Sequence, residues 1–323
     1  MTEVDKQQVE TRCGFVAVLG APNAGKSTLV NALVGQKVSI VTQKVQTTRV
    51  PVRGIAIRNN TQIIFVDTPG IFSPRRRLDR AMVSAAWKGA DTADAILVVV
   101  DAADVSARPN GHAAADTNLI LDGLGEIGKP PILVLNKVDA IRRDLLLPLT
   151  RDLSARNQFS HVFMVSAASG EGLAELMNCC AGLMPKSPFL YPEDQAADIP
   201  SRLLAAEITR EKLYLRLHDE LPYASSVVTE SWKEQKDGSV RIDQLILVQR
   251  ANQKAIVVGK GGQAIKAIGQ AARIELENLF GRRVHLFLHA KVLENWQDRP
   301  AYYREWGLEF PAEGEPAGKS GRS

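Results

Sequence analysis

The chain has 323 residues, 45% hydrophobic and 24% charged, with 40 Lys and Arg against 36 Asp and Glu for a net charge of +4. That length accommodates two domains, and the balance excludes fibrous and wholly disordered classes. Apolar runs such as Ala95-Ile-Leu-Val-Val-Val100 are strand-sized, far short of a membrane span.

Residues 1–13 read as an N-terminal extension; Met1 to Arg12 mix both charges without an apolar core, so no secretion signal is expected. Cys13, Cys179 and Cys180 fit neither a zinc pattern nor a disulfide framework, and reduced thiols in a cytosol are expected.

From residue 14 to 184, short apolar strands alternate with helical patterns, which predicts a largely parallel sheet covered by helices on both faces. The first strand, Phe15 to Leu19, breaks into Gly20-Ala-Pro-Asn-Ala-Gly25-Lys26-Ser27, and a helical pattern runs from Lys26 to Leu33. A strand that turns through glycines into a helix aims backbone N–H groups and the positive end of the helix dipole at one point. In that loop Lys26 supplies a cation for the outer phosphates of a nucleotide and Ser27 a hydroxyl for Mg²⁺. Chance produces this pattern in about 1% of chains of this length, which makes an ordinary strand–helix turn the minor alternative.

Three further signals lie at strand carboxyl ends, the edge where open α/β sheets bind ligands. Asp67-Thr68-Pro69-Gly70 ends the strand Gln62 to Val66; Asp67 can reach Mg²⁺ through a water and the Gly70 N–H can turn to a terminal phosphate. Asn136-Lys137-Val138-Asp139 ends the strand Pro131 to Leu135, and Ser166-Ala167-Ala168 ends Val162 to Val165. The Asp139 carboxylate only accepts hydrogen bonds, and guanine offers two adjacent donors, N1–H and the 2-amino group. Adenine would leave the carboxylate unmatched, at a cost of several kcal/mol. Lys137 is expected along the base and the backbone around Ala167 at the guanine carbonyl oxygen. A helix N-cap is the alternative role for Asn136 and Asp139.

Between the first helix and the second strand, Gln46-Thr47-Thr48-Arg49 lies in a stretch without helical period, as a mobile switch would. Thr48 is the expected Mg²⁺ ligand and Thr47 the alternative; two β-branched residues opening the next strand is the competing reading. Arg75-Arg76-Arg77 reads as a solvated charge cluster rather than an arginine finger.

Four prolines between Pro185 and Pro200 can continue neither a helix nor a central strand, so residues 185–200 read as a semi-rigid linker. Residues 201–310 then follow the order helix–strand–strand–helix–helix–strand, with Lys236-Asp237-Gly238 as a hairpin turn. Gly259-Lys260-Gly261-Gly262 separates the second and third helices, and a G-x-x-G between helices lets a sugar–phosphate backbone approach the peptide chain. From Arg250 to Lys291 eight Lys or Arg face only Glu275 and Glu277, a local +6 in a chain whose total is +4. Basic charge is thus concentrated where RNA would lie. Lys254, Lys260 and Lys266 are expected on phosphates, and Ile256, Val257, Ile265 and Ile268 beside Gly259, Gly261 and Gly262 as the base groove; the four apolar side chains could equally be core, the favoured role for Ile268. The alternative is a helix–turn–helix with a surface lysine patch. Residues 311–323 lack apolar content and read as a disordered tail.

Taken together, the phosphate loop, Gln46-Thr-Thr-Arg49, Asp67-Thr-Pro-Gly70, Asn136-Lys-x-Asp139, Ser166-Ala and Val258-Gly-Lys-Gly-Gly262-x-x-Ile265-Lys266-x-Ile268-Gly269 resemble the bacterial Era family of GTPases. The resemblance implies a P-loop NTPase G domain followed by an α+β type II KH domain. Its GTP site would comprise Gly20, Asn23, Ala24, Gly25, Lys26, Ser27, Thr28, Thr47, Thr48, Asp67, Thr68, Pro69, Gly70, Asn136, Lys137, Asp139, Ser166, Ala167 and Ala168. Mg²⁺ would sit at Ser27, Thr48 and Asp67, and a potassium ion at Asn23; Asn23, Thr48 and Gly70 are the catalytic candidates. Ile71 stands where signalling GTPases carry a water-positioning Gln, so hydrolysis of GTP is expected to be slow.

The function so implied is a monomeric cytoplasmic GTPase that binds small-subunit ribosomal RNA near its 3′ end and assists maturation of that subunit, with loose association at the inner membrane face. Two other functions fit parts of the pattern. One is a constitutive RNA-binding module whose nucleotide site only stabilises the fold; the other is a tRNA-modification-related GTPase.

Overall fold

The computed structural model describes residues 10–42, 44, 47–125, 127–217 and 221–312. Two compact units emerge: one holds residues 48–198 with the segment up to Ser39, the other residues 40–47 with 199–312. Residues 1–9 of the expected N-terminal extension, Gln46 of the switch and residues 313–323 of the expected tail lie outside the described residues.

The first unit runs β1 (Arg12–Gly20), α1 (Lys26–Val34), β2 (Val52–Arg58), β3 (Thr61–Asp67), α2 (Arg77–Thr92), β4 (Ala95–Asp101), α3 (Ala102–Ala107), α4 (His112–Leu124), β5 (Ile132–Asn136), α5 (Leu146–Ser154), β6 (His161–Met164), α6 (Leu173–Leu183) and β7 (Ala197–Asp198). The sheet order is β6-β5-β4-β1-β3-β2-β7. All pairs from β6 to β3 are parallel, and β2 joins β3 and β7 antiparallel.

Burial on both faces explains why the central strands read as continuous apolar runs rather than alternating ones. Along β1, Ala17 and Leu19 enter one core with Ile96, Val98, Leu133 and Leu135, while Val16 and Val18 enter the other with Leu97, Val99, Ile132 and Val134. Strand β1 is where the connections diverge, to β3 on one side and β4 on the other. Its carboxyl end is therefore the crevice in which an α/β sheet holds a ligand. The phosphate loop occupies it.

The second unit contains α7 (Ser201–Arg216), β8 (Ser226–Glu234), β9 (Val240–Val248), α8 (Ala251–Val258), α9 (Gln263–Phe280), β10 (Val284–Val292) and α10 (Pro300–Glu305). Its sheet is ordered β10-β9-β8; β10 and β9 are parallel, and β8 and β9 form an antiparallel hairpin with a bulge between Thr229 and Ser231. Leu213, Val227, Ile246, Val248, Val257 and Ile268 make one core cluster. The helix α10 and its aromatic neighbours complete the unit. Trp296 is fully buried, donates Nε1–H to the Ala224 carbonyl at 3.0 Å and packs edge-on against Trp306.

Ile63 on β3 has no exposed surface and sits in the core that α1 and α6 cover. Ile63→Ala is expected to lower unfolding stability by about 2–5 kcal/mol. Leu147, 71% exposed on α5, should change it by less than about 0.5 kcal/mol when replaced by Ala. Urea unfolding of both variants checks the contrast.

Candidate nucleotide site and nucleic-acid interface

The phosphate loop takes its shape from positions that exclude side chains. Gly25 has φ +90°, and a Cβ there would stand 2.3 Å from Asn136 Nδ2; at Gly20 a Cβ would stand 2.5 Å from the Val99 carbonyl oxygen. Asn23, exposed at the loop, also has a positive φ of 63°. Lys26 folds back over the loop, donating to the Gly20 and Ala21 carbonyls at 3.1 and 3.0 Å. Burial pulls its ammonium down to about 8, and the nearby Asp67 opposes the shift. Such a desolvated cation gains strongly from a phosphate placed beside it.

Asp67, with no exposed surface at the end of β3, is the centre of a polar corner. Its Oδ2 accepts from Ser27 Oγ at 2.7 Å and Thr48 Oγ1 at 3.3 Å, and those two hydroxyls lie 2.8 Å apart. Its Oδ1 is buried and has no hydrogen-bond partner among the described residues. Burial pushes the carboxyl up, against the Ser27 hydroxyl and the Lys26 charge. An unpartnered buried carboxylate oxygen beside two hydroxyls is a donor set suited to a hard divalent cation that takes oxygen ligands.

Of the two switch threonines, Thr48 enters this corner and is buried. Thr47 turns away: its hydroxyl bonds the Thr42 hydroxyl and the Lys44 carbonyl, both at 2.7 Å, within the second unit. Gly70 lies against the loop, where a Cβ would stand 2.9 Å from the Pro22 nitrogen, and the next amide, Ile71 N–H, donates to the Gly20 carbonyl at 3.2 Å. Thr68 spends its hydroxyl on the Val18 carbonyl at 2.7 Å, and Pro69 beside it is buried. Ile71 itself is fully buried. Arg75 and Arg76 are exposed, and their amides donate to Asp79 Oδ2, so the basic run opens α2 and its backbone is capped.

At the base end Asn136 is a strut. It is 1% exposed, donates Nδ2–H to the Ala24 carbonyl at 2.9 Å, and accepts the Ala167 N–H at 3.0 Å. The phosphate loop, the end of β5 and the loop after β6 are thus tied through one side chain. This narrows the expectation for the backbone around Ala167, because the Ala167 N–H is spent on Asn136; the next residue, Ala168, is exposed. Ser166 is buried and its Oγ accepts the Ser169 N–H at 3.2 Å. Lys137 has φ +63° and its Nζ pairs with Asp101 Oδ2 at 2.5 Å, a partner that no motif spacing announces. Asp139 is exposed in the turn that follows β5, and Thr28 is half-buried in the first turn of α1.

In the second unit, α8 ends at Gly259 (φ +73°), where a Cβ would stand 2.7 Å from the Ala264 Cβ; α9 begins after Gly262. Gly261 (φ +59°) and Gly262 (φ +76°) would place a Cβ in open space. The loop therefore presents bare backbone to solvent. Lys254, Ile256, Lys260 and Lys266 are exposed around it, and Ile265 is half-buried. Val257 is a correction to the sequence reading: with no exposed surface it packs in the core, so its side chain does not line the groove. Periodicity separates the two neighbours, since Ile256 and Val257 point in directions about 100° apart on a helix. Ile268 is core, as its spacing predicts.

Residues 15–137 match the family model of the 50S ribosome-binding GTPases, and residues 220–297 match that of the KH domain. The chain is 56% identical over 308 residues to GTPase Era of Caulobacter vibrioides, spanning 93% of this chain and 98% of that one. It is 56% identical over 315 residues to GTPase Era of Rhizobium meliloti, spanning 96% and 98%. Among solved structures, a point variant of Aquifex aeolicus Era bound to GDP·AlF4⁻ superposes with a TM-score of 0.84 at 39% identity over 92% of this chain and 99% of that one. A structure of Era in complex with MgGDPNP and nucleotides 1506–1542 of 16S ribosomal RNA is similar to the same degree. With both units matched in order and nearly the whole length covered, the chain belongs to the Era family of GTPases.

Proposed function

We propose that this GTPase is a nucleotide-set switch that binds small-subunit ribosomal RNA near its 3′ end and assists assembly of that subunit. The observation that carries the reading is the Ser27–Thr48–Asp67 corner, where a buried carboxylate keeps one oxygen without a partner among the described residues, beside two hydroxyls. The solved relative held MgGDPNP together with that RNA segment, at 39% identity over 92% of this chain.

In this reading Ser27, Thr48 and Asp67 would hold Mg²⁺, which would supply positive charge to offset that of the phosphates. Gly25 and its neighbours turn backbone N–H groups to the phosphates, and Lys26 leaves the Gly20 and Ala21 carbonyls for the outer phosphate oxygens. The Gly70 N–H faces the terminal phosphate. Ile71 offers attacking water no hydrogen bond, so intrinsic hydrolysis is slow. Asn23, exposed with a positive φ, is the residue we assign to a potassium ion. Asp139 accepts from guanine N1–H and the 2-amino group. With Ala167 engaged by Asn136, we assign the donor to the guanine carbonyl oxygen to Ala168 N–H. Lys137 reaches across the base plane.

In the second unit Lys254, Lys260 and Lys266 bind phosphates, Gly261 and Gly262 let the RNA backbone close on the loop, and Ile256 and Ile265 face the bases.

Two substitutions test the halves separately. Asp139→Asn replaces an acceptor by an amide donor, which suits the 2-carbonyl of xanthine. GTP affinity is expected to fall at least about tenfold while a xanthine nucleotide gains, measured by competition against a fluorescent analogue. An unchanged ratio contradicts the assigned role. Gly261→Asp places a carboxylate on the open loop beside Lys260, and binding of a 3′-end rRNA oligonucleotide is expected to be lost with GTP affinity intact. Retained RNA binding contradicts the interface.

A further inference from the structure

Ile40, Val41, Thr42, Lys44 and Thr47 group by their contacts with the second unit. Ile40, 4% exposed, fills a core cluster with Ala205 and Ile208 of α7 and Leu276 of α9. Its neighbours are held by polar groups of the same helix. Val41 N–H donates to Glu211 Oε1 at 2.8 Å. The Lys44 ammonium donates to the Tyr214 and Leu217 carbonyls, a cation at the negative end of the α7 dipole. Arg210 donates Nη2–H to the Thr47 carbonyl.

Arg210 is built for that contact. Its guanidinium is fully buried, pairs with Glu207 through Nε at 2.8 Å and again through Nη2, and lies 5.0 Å from the Tyr214 ring centroid. Burial works against its charge, but Coulombic attraction and hydrogen bonding from Glu207 outweigh it and hold the guanidinium above its ordinary range. A guanidinium sunk this deeply is oriented by its partners rather than by solvent. The backbone oxygen it grips belongs to the residue before Thr48, whose hydroxyl meets Ser27 and Asp67 in the first unit.

We propose that Arg210, supported by Glu207 and by the Lys44 anchor, is a positioning residue for Thr48. By fixing the Thr47 carbonyl it sets the peptide that carries the hydroxyl serving the metal of the triphosphate state. The first helix of the RNA-binding unit thereby acts on GTP preference and on hydrolysis. This rests on the reading of Thr48 as a metal ligand.

The test uses the full chain with Arg210→Lys, Lys44→Met and, in parallel, Thr48→Ala. Each is measured for GDP affinity, GTP-analogue affinity in Mg²⁺, and single-turnover hydrolysis. Arg210→Lys and Lys44→Met are expected to lower analogue affinity and hydrolysis about tenfold with GDP affinity unchanged, reproducing Thr48→Ala in weaker form. If Thr48→Ala loses the preference for the analogue and the other two keep it, the positioning role is overturned. Equal losses for both nucleotides in Arg210→Lys and Lys44→Met overturn it as well, because they mark general destabilisation. If Thr48→Ala itself keeps the preference, the metal-ligand reading fails and the proposal falls with it.

Discussion

A carboxylate buried at the end of a central strand, with one of its oxygens satisfied among the described residues and the other not, organises the first unit. Asp67 pairs in register with Val18 of β1, so the strand that delivers it lies beside the strand that delivers the phosphate loop. Ser27 follows that loop and Thr48 precedes the return to β2; both place hydroxyls against the same oxygen. Burying such a group without full hydrogen bonding is unfavourable by itself. It is tolerated where a cation is to be held, and the neighbouring Lys26 shows the complementary cost, its ammonium weakened by the same desolvation.

The base end depends on a different kind of constraint. Asn136 carries no charge and touches no solvent of consequence, yet its amide ties two loops that are far apart in sequence to the end of β5. Such a strut matters to any recognition group on these loops, because a recognition group is only as selective as its position is fixed. The second unit answers to backbone conformation instead. Positive φ at Gly259, Gly261 and Gly262 brings two helices together around bare peptide, with exposed lysines around it.

Much of this is legible in the amino-acid sequence, and the parts that are not share a cause. The phosphate loop, the Asp67 strand end and the helix–strand–strand–helix–helix–strand order each come from local periodicity and turn chemistry, which one window of sequence contains. The choice between Thr47 and Thr48 does not, because both are β-branched hydroxyls and only tertiary placement separates them. Local reading puts the backbone around Ala167 at the guanine carbonyl oxygen, but a partner 31 residues away takes the Ala167 N–H itself. It puts Val257 in the groove, but the helix phase turns that side chain into the core. The aromatic packing of Trp296 and Trp306 around α10 belongs to no motif. The grip of α7 on Val41 and Lys44 joins residues about 170 apart, beyond any local pattern.

A nucleotide-set switch requires that filling the Asp67 corner in the triphosphate state changes the second unit's hold on RNA. That coupling is read from the affinity of the full chain for a short 3′-end small-subunit rRNA oligonucleotide, with Mg²⁺ throughout, under a non-hydrolysable GTP analogue, GDP, and no nucleotide. Binding at least about tenfold tighter with the analogue than under either other condition is expected, a coupling of about 1.4 kcal/mol. Equal affinity under all three is incompatible with a switch and leaves a constitutive RNA-binding protein with a nucleotide site that serves only its own fold.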